Sequence, residues 1–502
     1  MKVIEVQEHQ GKAGMKIFGR KASPPSEDKT AEKWIVLGMV SIGVFMGTLD
    51  ASIVNISLPK ISLYFQVPLS GMVEWVIIAY LIVVAGTLLT LGRLSDIIGR
   101  KAIWLAGLAV FTVGSALCGA APSLLFLVIS RAFQGLGGAM TMSVSTAMIT
   151  RAFPAGERGR ALGLIGTVVA VGISAGPTLG GIITQALTWR WIFYINLPIG
   201  IIGVIAGIRL LSEPMRTTGA RKRFDTTGAL LLYISMTFLM LGMTFGQEIG
   251  WTSTTILGLF AIAALLLVAF ALVERRMANP IVDMSIFQNR LFSAALVSSF
   301  LSFLSLFAVV FLMPFYLEEL LFFQPGRAGL VLTAVPLTIS LVAPLSGYLS
   351  DRFGSRGLSS LGLFAAAIGL FFLSRLTHET SLSGIIWPLI VSGFGQALFQ
   401  SPNNNAIMSS VPANRIGIAS GFLATVRVLG QGFSVALAGA IFTSLGGAKA
   451  GALLIQDMAH PAPCLQNTFV KAFHAALLTS MVIASIGVFT SLARGQSRSL
   501  SN

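Results

Sequence analysis

Residues Trp34–Pro59 read WIVLGMVSIGVFMGTLDASIVNISLP, an apolar run long enough to cross a lipid bilayer, with one acid inside it. A transmembrane helix needs about 20 consecutive, mostly apolar residues. Asp50 is the only one of the chain's 19 Asp and Glu residues lying deep within such a run. A charge at the bilayer centre costs about 2.5–3.5 kcal/mol on insertion scales, so an intramembrane carboxyl has a partner or a task. A carboxyl can carry a proton. The stretch therefore predicts a membrane-embedded chain and points to coupled transport.

The rest of the chain has the same character: 502 residues, 55% hydrophobic, only 11% charged, with a mean hydropathy of +0.84. Fourteen segments are long and apolar enough to span, near 34–58, 72–92, 102–121, 124–148, 159–186, 191–211, 226–246, 253–273, 292–317, 328–350, 357–375, 383–410, 416–444 and 470–493. The expected fold class is an all-α polytopic membrane protein. The long runs exclude a barrel, whose strands alternate over short stretches. With the N-terminus placed inside, the loops outside hold only Lys60, Arg190, Arg327, Arg375, Lys449 and Lys471 of the 34 basic residues. Arg131 and Arg427 lie within spans, and the rest fall inside. That bias matches the positive-inside rule and predicts a plasma-membrane protein, inner membrane in a Gram-negative cell, with both termini cytoplasmic.

The net charge of +15 is dispersed over many short loops. It reads as topology and attraction to anionic lipid rather than nucleic-acid binding. Residues 1–33 are polar, carry Pro24-Pro25 and lack the apolar core of a signal peptide; they read as a cytoplasmic tail. Cys118 and Cys464 make no disulfide framework, and four scattered histidines form no metal-ligand cluster. No Gly-x-x-x-x-Gly-Lys-[Ser/Thr] loop occurs, which excludes a nucleotide-driven pump, and no cofactor is expected.

A short pattern recurs. GRLSDIIGRK (Gly92–Lys101) follows the second span and GYLSDRFGSRG (Gly347–Gly357) follows the tenth. Each falls after the second helix of a six-helix block, which leaves two spans between the blocks. The expected organisation is a tail at 1–33, a six-helix bundle at 34–211, a linker with two extra helices at 212–291, a second bundle at 292–493, and a tail at 494–502. Two facing bundles with a site between them near the midplane is a transporter architecture.

These residues carry a family resemblance. GRLSDIIGRK resembles the Gly-x-Leu-Ala-Asp-x-x-Gly-Arg-Lys signature of the major facilitator superfamily. LDASIVNISLP (Leu49–Pro59) resembles the first-helix motif of its 14-span drug:proton antiporter branch. RAFQGLGGA from Arg131, GISAGPTLGG from Gly172 and WRWIFYINLPIG from Trp189 resemble further motifs of that branch. The C-terminal half matches less closely, through Gly347–Gly357 and GIASGFLATVRVLGQGFS from Gly417. Ser52 stands where the first-helix motif has Thr, and Glu74 precedes Trp75 where an uncharged polar residue is expected.

Depth and chemistry single out the candidate residues. Asp50 lies about eight residues from the outer end of its helix and Arg131 about seven from the outer start of its own, so at 1.5 Å per residue they share a level. They read either as a static ion pair or as a proton-coupling site whose hold on the proton changes when Arg131 moves or water enters. Gly172, Gly176 and Gly180 share one helix face, with Pro177 and Gly181 beside them; that antiporter helix reads either as plain close packing or as a flexible, leak-tight contact between the bundles. Asp96, with Gly92, Gly99 and Arg100, is expected to latch the inner side by accepting a helix N-terminus or an Arg. Asp351 with Arg352 is its counterpart. Glu74, Gln134, Gln400, Asn404 and Arg427 are the candidate cavity residues; Gln400 and Asn404 read equally as bonds between neighbouring helices, and Arg427 equally as a structural residue.

The resemblance implies a proton-driven antiporter that exports hydrophobic, cationic drugs or toxic small molecules by alternating access, with small-molecule cargo and protons as its partners. In a two-membraned envelope a periplasmic adaptor protein is a further expected partner. A carrier of a specific metabolite or organic anion, using Arg131 and Arg427, is the alternative. A non-transporting receptor or scaffold is a third reading. An enzyme is not expected, because no nucleophile or metal constellation occurs in the spans.

Overall fold

The computed structural model describes residues 27–67, 73, 75–211, 225–277, 280–282, 284–412, 415–456 and 462–494. Glu74 lies outside them. Fourteen helices are long and apolar enough to cross a membrane, and no strand occurs among the described residues. They are α1 (Glu27–Phe65), α2 (Trp75–Ile98), α3 (Arg100–Gly119), α4 (Leu124–Ala152), α5 (Arg158–Ala186) and α6 (Trp191–Leu210). Next come α7 (Thr226–Ile249), α8 (Thr254–Glu274), α9 (Arg290–Phe315), α10 (Ala334–Phe353), α11 (Ser355–Leu373), α12 (Leu382–Ser409), α13 (Ile416–Ser444) and α14 (Pro463–Leu492). In lipid every backbone polar group must be satisfied within the segment, which is why these runs are helices.

Polar residues mark the helix starts. Ser123, Asp225, Ser253 and Asn289 accept hydrogen bonds from Phe126, Gly228, Ile256 and Leu291 amides at 3.3, 2.9, 3.3 and 3.0 Å, capping α4, α7, α8 and α9. The two repeated segments differ from expectation. They extend their spans rather than following them: Gly92–Ile98 continues α2 and Gly347–Phe353 continues α10. Only Gly99 and Gly354, at φ 106° and 85°, break the chain. Side chains other than glycine rarely adopt that region. Hydropathy misplaced both helix ends because Arg93, Asp96 and Asp351 are charged, whereas the helical ladder does not depend on apolar side chains.

The architecture is two six-helix bundles with α7 and α8 inserted between them in sequence. Packing repeats between the bundles: α1 lies on α5 as α9 lies on α13, α3 on α4 as α11 on α12, and α2 on α4 as α10 on α12. The bundles meet along two seams, α5 against α10 and α13 against α2. The inserted helix α7 lies over the second seam. Gly86 of α2 faces the Tyr233 ring, and Trp75 stacks at a tilt 5.9 Å from Phe245. α8 packs mainly on α7, and only 17% of its apolar window is buried inside the protein. The end of the molecule where Arg93, Arg100, Arg158 and Arg352 gather is called the basic end below.

Candidate functional site

Asp50 is wholly buried, and its carboxylate is fully engaged. One oxygen accepts from Arg131 Nη1 at 2.6 Å; the other accepts from Gln134 Nε2 at 2.9 Å and Asn196 Nδ2 at 3.3 Å. Arg131 is equally enclosed. Its Nε donates to the Val76 carbonyl at 2.9 Å, its Nη1 also donates to Gln134 Oε1 at 2.6 Å, and its guanidinium lies 4.5 Å from the Tyr80 ring centroid. Gln134 Nε2 donates on to Ser115 Oγ at 2.8 Å. Asp50, Gln134 and Asn196 are 0% exposed and Arg131 1%. Four helices therefore converge on one neutralised acid.

Gln134, expected along the cavity, belongs instead to this sealed network. Its place follows from spacing: it lies one turn after Arg131 on α4, so both reach the same carboxylate. Asn196, Tyr80 and Ser115 were not singled out by sequence reasoning. Asn196 had a readable signal, since an amide two residues before Pro198 in an apolar helix marks a broken ladder. α6 is indeed divided at Ile195, with Asn196 beginning its second piece.

The glycine face of α5 is a correction. Gly172, Gly176 and Gly180 do not meet the other bundle; they meet α1 of their own. A Cβ at Gly172 would overlap Thr48 Oγ1, one at Gly176 would overlap Ser52, and one at Gly180 would stand 2.8 Å from Ile53. Periodicity defines a small-residue face but not which helix covers it. The seam to α10 is made by an earlier face of the same helix, Gly159, Gly163 and Gly166, against Ala343 and Gly347. Thr167 adds a bond to the Ser340 carbonyl at 2.9 Å. Pro177 and Gly181 lie inside α5.

Two acids bridge the bundles at the basic end in the same way. Asp96 accepts from the Gly417 and Ile418 amides at 3.2 and 3.3 Å, the first turn of α13, while Arg100 Nη2 pairs with it at 3.0 Å. Asp351 accepts from the Gly159 and Arg160 amides at 2.9 and 3.1 Å, the first turn of α5, and from Asn405 Nδ2 at 3.4 Å. Each carboxylate thus sits on the positive end of a helix from the opposite bundle. A Cβ at Gly92 would stand 2.7 Å from the Gly417 carbonyl oxygen, and one at Gly347 would overlap that of Gly159. Arg352 does not join Asp351; its guanidinium lies 4.7 Å from the Tyr348 ring centroid, at the surface.

In the second bundle, Asn404 is buried and Gln400 half-buried on α12. The neighbouring Asn403 bonds the Ala295 carbonyl of α9 at 3.1 Å. Arg427, in mid-α13, lies 5.4 Å from the Phe303 ring centroid, and its Nε is buried with no hydrogen-bond partner among the described residues.

Known proteins place this arrangement. The model of the Major Facilitator Superfamily matches residues 40–298 and 295–486. The riboflavin transporter RibZ of Clostridioides difficile is 39% identical over 82% of this chain and 88% of its own. The multidrug resistance protein Stp of Mycobacterium tuberculosis is 32% identical over 82% and 76%. The solved structure of the human organic anion transporter MFSD10 superposes with a TM-score of 0.64 at 14% identity, covering 93% of this chain and 100% of that one. The chain belongs to the major facilitator superfamily, and it is a multi-pass membrane transporter rather than an enzyme.

Proposed function

We propose that the protein exports hydrophobic small molecules in exchange for protons, by alternating access between a bundle at 34–211 and a bundle at 292–493 joined by the linker at 212–291. The observation that carries this reading is the enclosed Asp50 carboxylate, held by donors from α4 and α6 that can be withdrawn when those helices shift. Burial in low dielectric favours the protonated acid and a guanidinium favours the ionised one, so separating Asp50 from Arg131 takes up a proton and rejoining them releases it. Export of drug-like cargo is supported by the names of relatives such as the multidrug resistance protein Stp.

The reading also fixes an orientation. The basic end faces the cytoplasm, with both termini, in a plasma membrane or Gram-negative inner membrane, and the latches at Asp96 and Asp351 make this the outward-facing form. An adaptor protein lengthens the path only in a two-membraned envelope. A cationic cargo competing directly for Asp50 needs that carboxylate exposed elsewhere in the cycle, since here it is 0% exposed.

The test is drug-driven proton release from proteoliposomes holding the wild type or Asp50→Asn. Loss of proton release with Asp50→Asn supports the exchange; undiminished release removes Asp50 from the mechanism. A scaffold would move no solute in either case.

A further inference from the structure

We infer that Arg427 receives an acidic group of the transported molecule, so that the cargo is a hydrophobic, aromatic acid. The inference rests on the export reading above and names its substrate class.

The charges at membrane depth are unequally satisfied. Asp50 is neutralised by Arg131 and sealed, so the first bundle offers no free charge from that pair. Arg427 has no hydrogen-bond acceptor among the described residues, and its Nε is buried without one. A guanidinium removed from water with nothing to bond is costly, and more so inside a membrane. The cost is removed when an anion enters.

The helix face supports this. In α13, Gly417 and Gly421 meet α2, while Gly430 meets Phe300 and Phe303 of α9. Phe422 and Leu429 pack against the apolar cluster that includes Leu232 and Met236 of α7. At about 100° per residue, Ser420, Arg427, Gln431 and Ser434 fall opposite Phe422 and Leu429, on the side turned away from the inserted helices. The hydroxyl oxygens of Ser420 and Ser434 are, like Arg427 Nε, buried and without a partner among the described residues. Arg427 is nonetheless half-buried as a residue, whereas Asp50 is 0% exposed. This face therefore carries one planar cation and two hydroxyls, all short of partners, with an aromatic ring against the cation.

That set selects the ligand. A guanidinium fork binds a carboxylate, sulfonate or phosphonate through two parallel hydrogen bonds. The Phe303 ring, 5.4 Å from the Arg427 guanidinium carbon, offers an apolar and aromatic flank to the rest of the molecule. A cationic group at the same place would be repelled by Arg427 and would leave all three donors unbonded.

The test uses two dyes that differ by one methyl ester. Rhodamine 110 keeps a free carboxylate, and rhodamine 123 is its methyl ester. Efflux of each is measured in proteoliposomes under an imposed proton gradient, for the wild type, Arg427→Gln and Arg427→Lys. The expected result is transport of rhodamine 110, with KM raised about ten- to a hundredfold in Arg427→Gln, the loss of one charge-assisted contact. Arg427→Lys should recover part of that, because it keeps the charge but not the fork. If Arg427→Gln does not fold, a severalfold rise in KM for rhodamine 110 alone in Arg427→Lys carries the same weight. Equal handling of both dyes by every variant, or movement of rhodamine 123 only, overturns the inference and leaves export standing. Movement of neither dye counts against the export reading itself, and the inference falls with it.

Discussion

The Asp96 carboxylate accepts a hydrogen bond from the Gly417 amide at 3.2 Å and so ties the end of α2 to the first turn of α13. A negative charge at a helix N-terminus is worth about 0.3–1 kcal/mol when exposed and up to about 2 when partly buried. Asp96→Asn keeps the shape and removes the charge. It should shift the population toward opening at the basic end by about two- to thirtyfold. The measurement is alkylation of Ser95→Cys, at a position 1% exposed, in a Cys464→Ser background. Faster labelling with Asp96→Asn is expected, and an unchanged rate would mean the contact is not a latch.

Gly347 tests the other seam. A Cβ there would overlap the Gly159 carbonyl oxygen, which is backbone and cannot swing away. Overpacking of that kind costs about 1–3 kcal/mol. Gly347→Ala should lower the melting temperature of the purified protein and slow transport. Gly329→Ala, where nothing lies within 4 Å, should do neither. Equal melting temperatures for the two variants would show that α5 and α10 do not pack this closely.

Arg131 and Asp50 form a pair 2.6 Å apart and almost wholly buried. Removing one partner of such a pair costs about 3–5 kcal/mol, because the other is left charged and enclosed. Arg131→Met alone should therefore express poorly or melt early. The double variant Asp50→Asn with Arg131→Met should regain most of the stability but not the coupling to protons. Recovery of coupling in the double variant would place the proton elsewhere.

How much of this was readable in the sequence differs from residue to residue. The fourteen spans were, because apolar length alone decides insertion. Asp50 and Arg131 were brought together by depth, since a helix converts residue count into distance. Asp96 was expected to accept a helix N-terminus, but sequence could not say that the helix is α13, nor that Asp351 does the same to α5. Those pairings depend on how two bundles meet, and no local pattern encodes it. Asn196 was missed although an amide two residues before a proline in an apolar run signals a broken helical ladder, because that signal does not say which carboxylate the amide reaches. The side chains that make Asp50's hydrogen bonds come from helices far apart in sequence.

Arg494 gives a contrast to Arg427. Its three guanidinium nitrogens are buried with no partner among the described residues, and it is 2% exposed. It lies at the end of α14, with its guanidinium 6.0 Å from the Phe399 ring centroid. An enclosed charge with nothing to pair with carries a desolvation penalty of roughly several kcal/mol, which an apolar side chain of similar volume does not. Arg494→Met should leave transport intact and hold or raise the melting temperature. A marked fall would mean that the charge has a partner.

The contact between Gly172 and Thr48 connects the glycine face to the helix turn that carries Asp50. Thr48 lies two residues before Asp50 on α1, and a Cβ at Gly172 would overlap its Oγ1. Among the described residues that hydroxyl bonds carbonyls of its own helix alone, Val44 at 2.9 Å and Phe45 at 3.1 Å. Gly172→Ala must therefore push α1 or rotate Thr48, and a shift of α1 pulls Asp50 away from Gln134 and Asn196. Transport should fall severalfold while the protein still reaches the membrane. Thr48→Ala removes the obstructing oxygen at little cost, because the nearest remaining Thr48 atom, Cβ, stands 3.1 Å from the added carbon. Combined with Gly172→Ala it should restore most of the transport rate, measured as dye efflux per folded protein. Failure of that suppression would mean that Gly172 acts through bending of α5 and not through the position of Asp50.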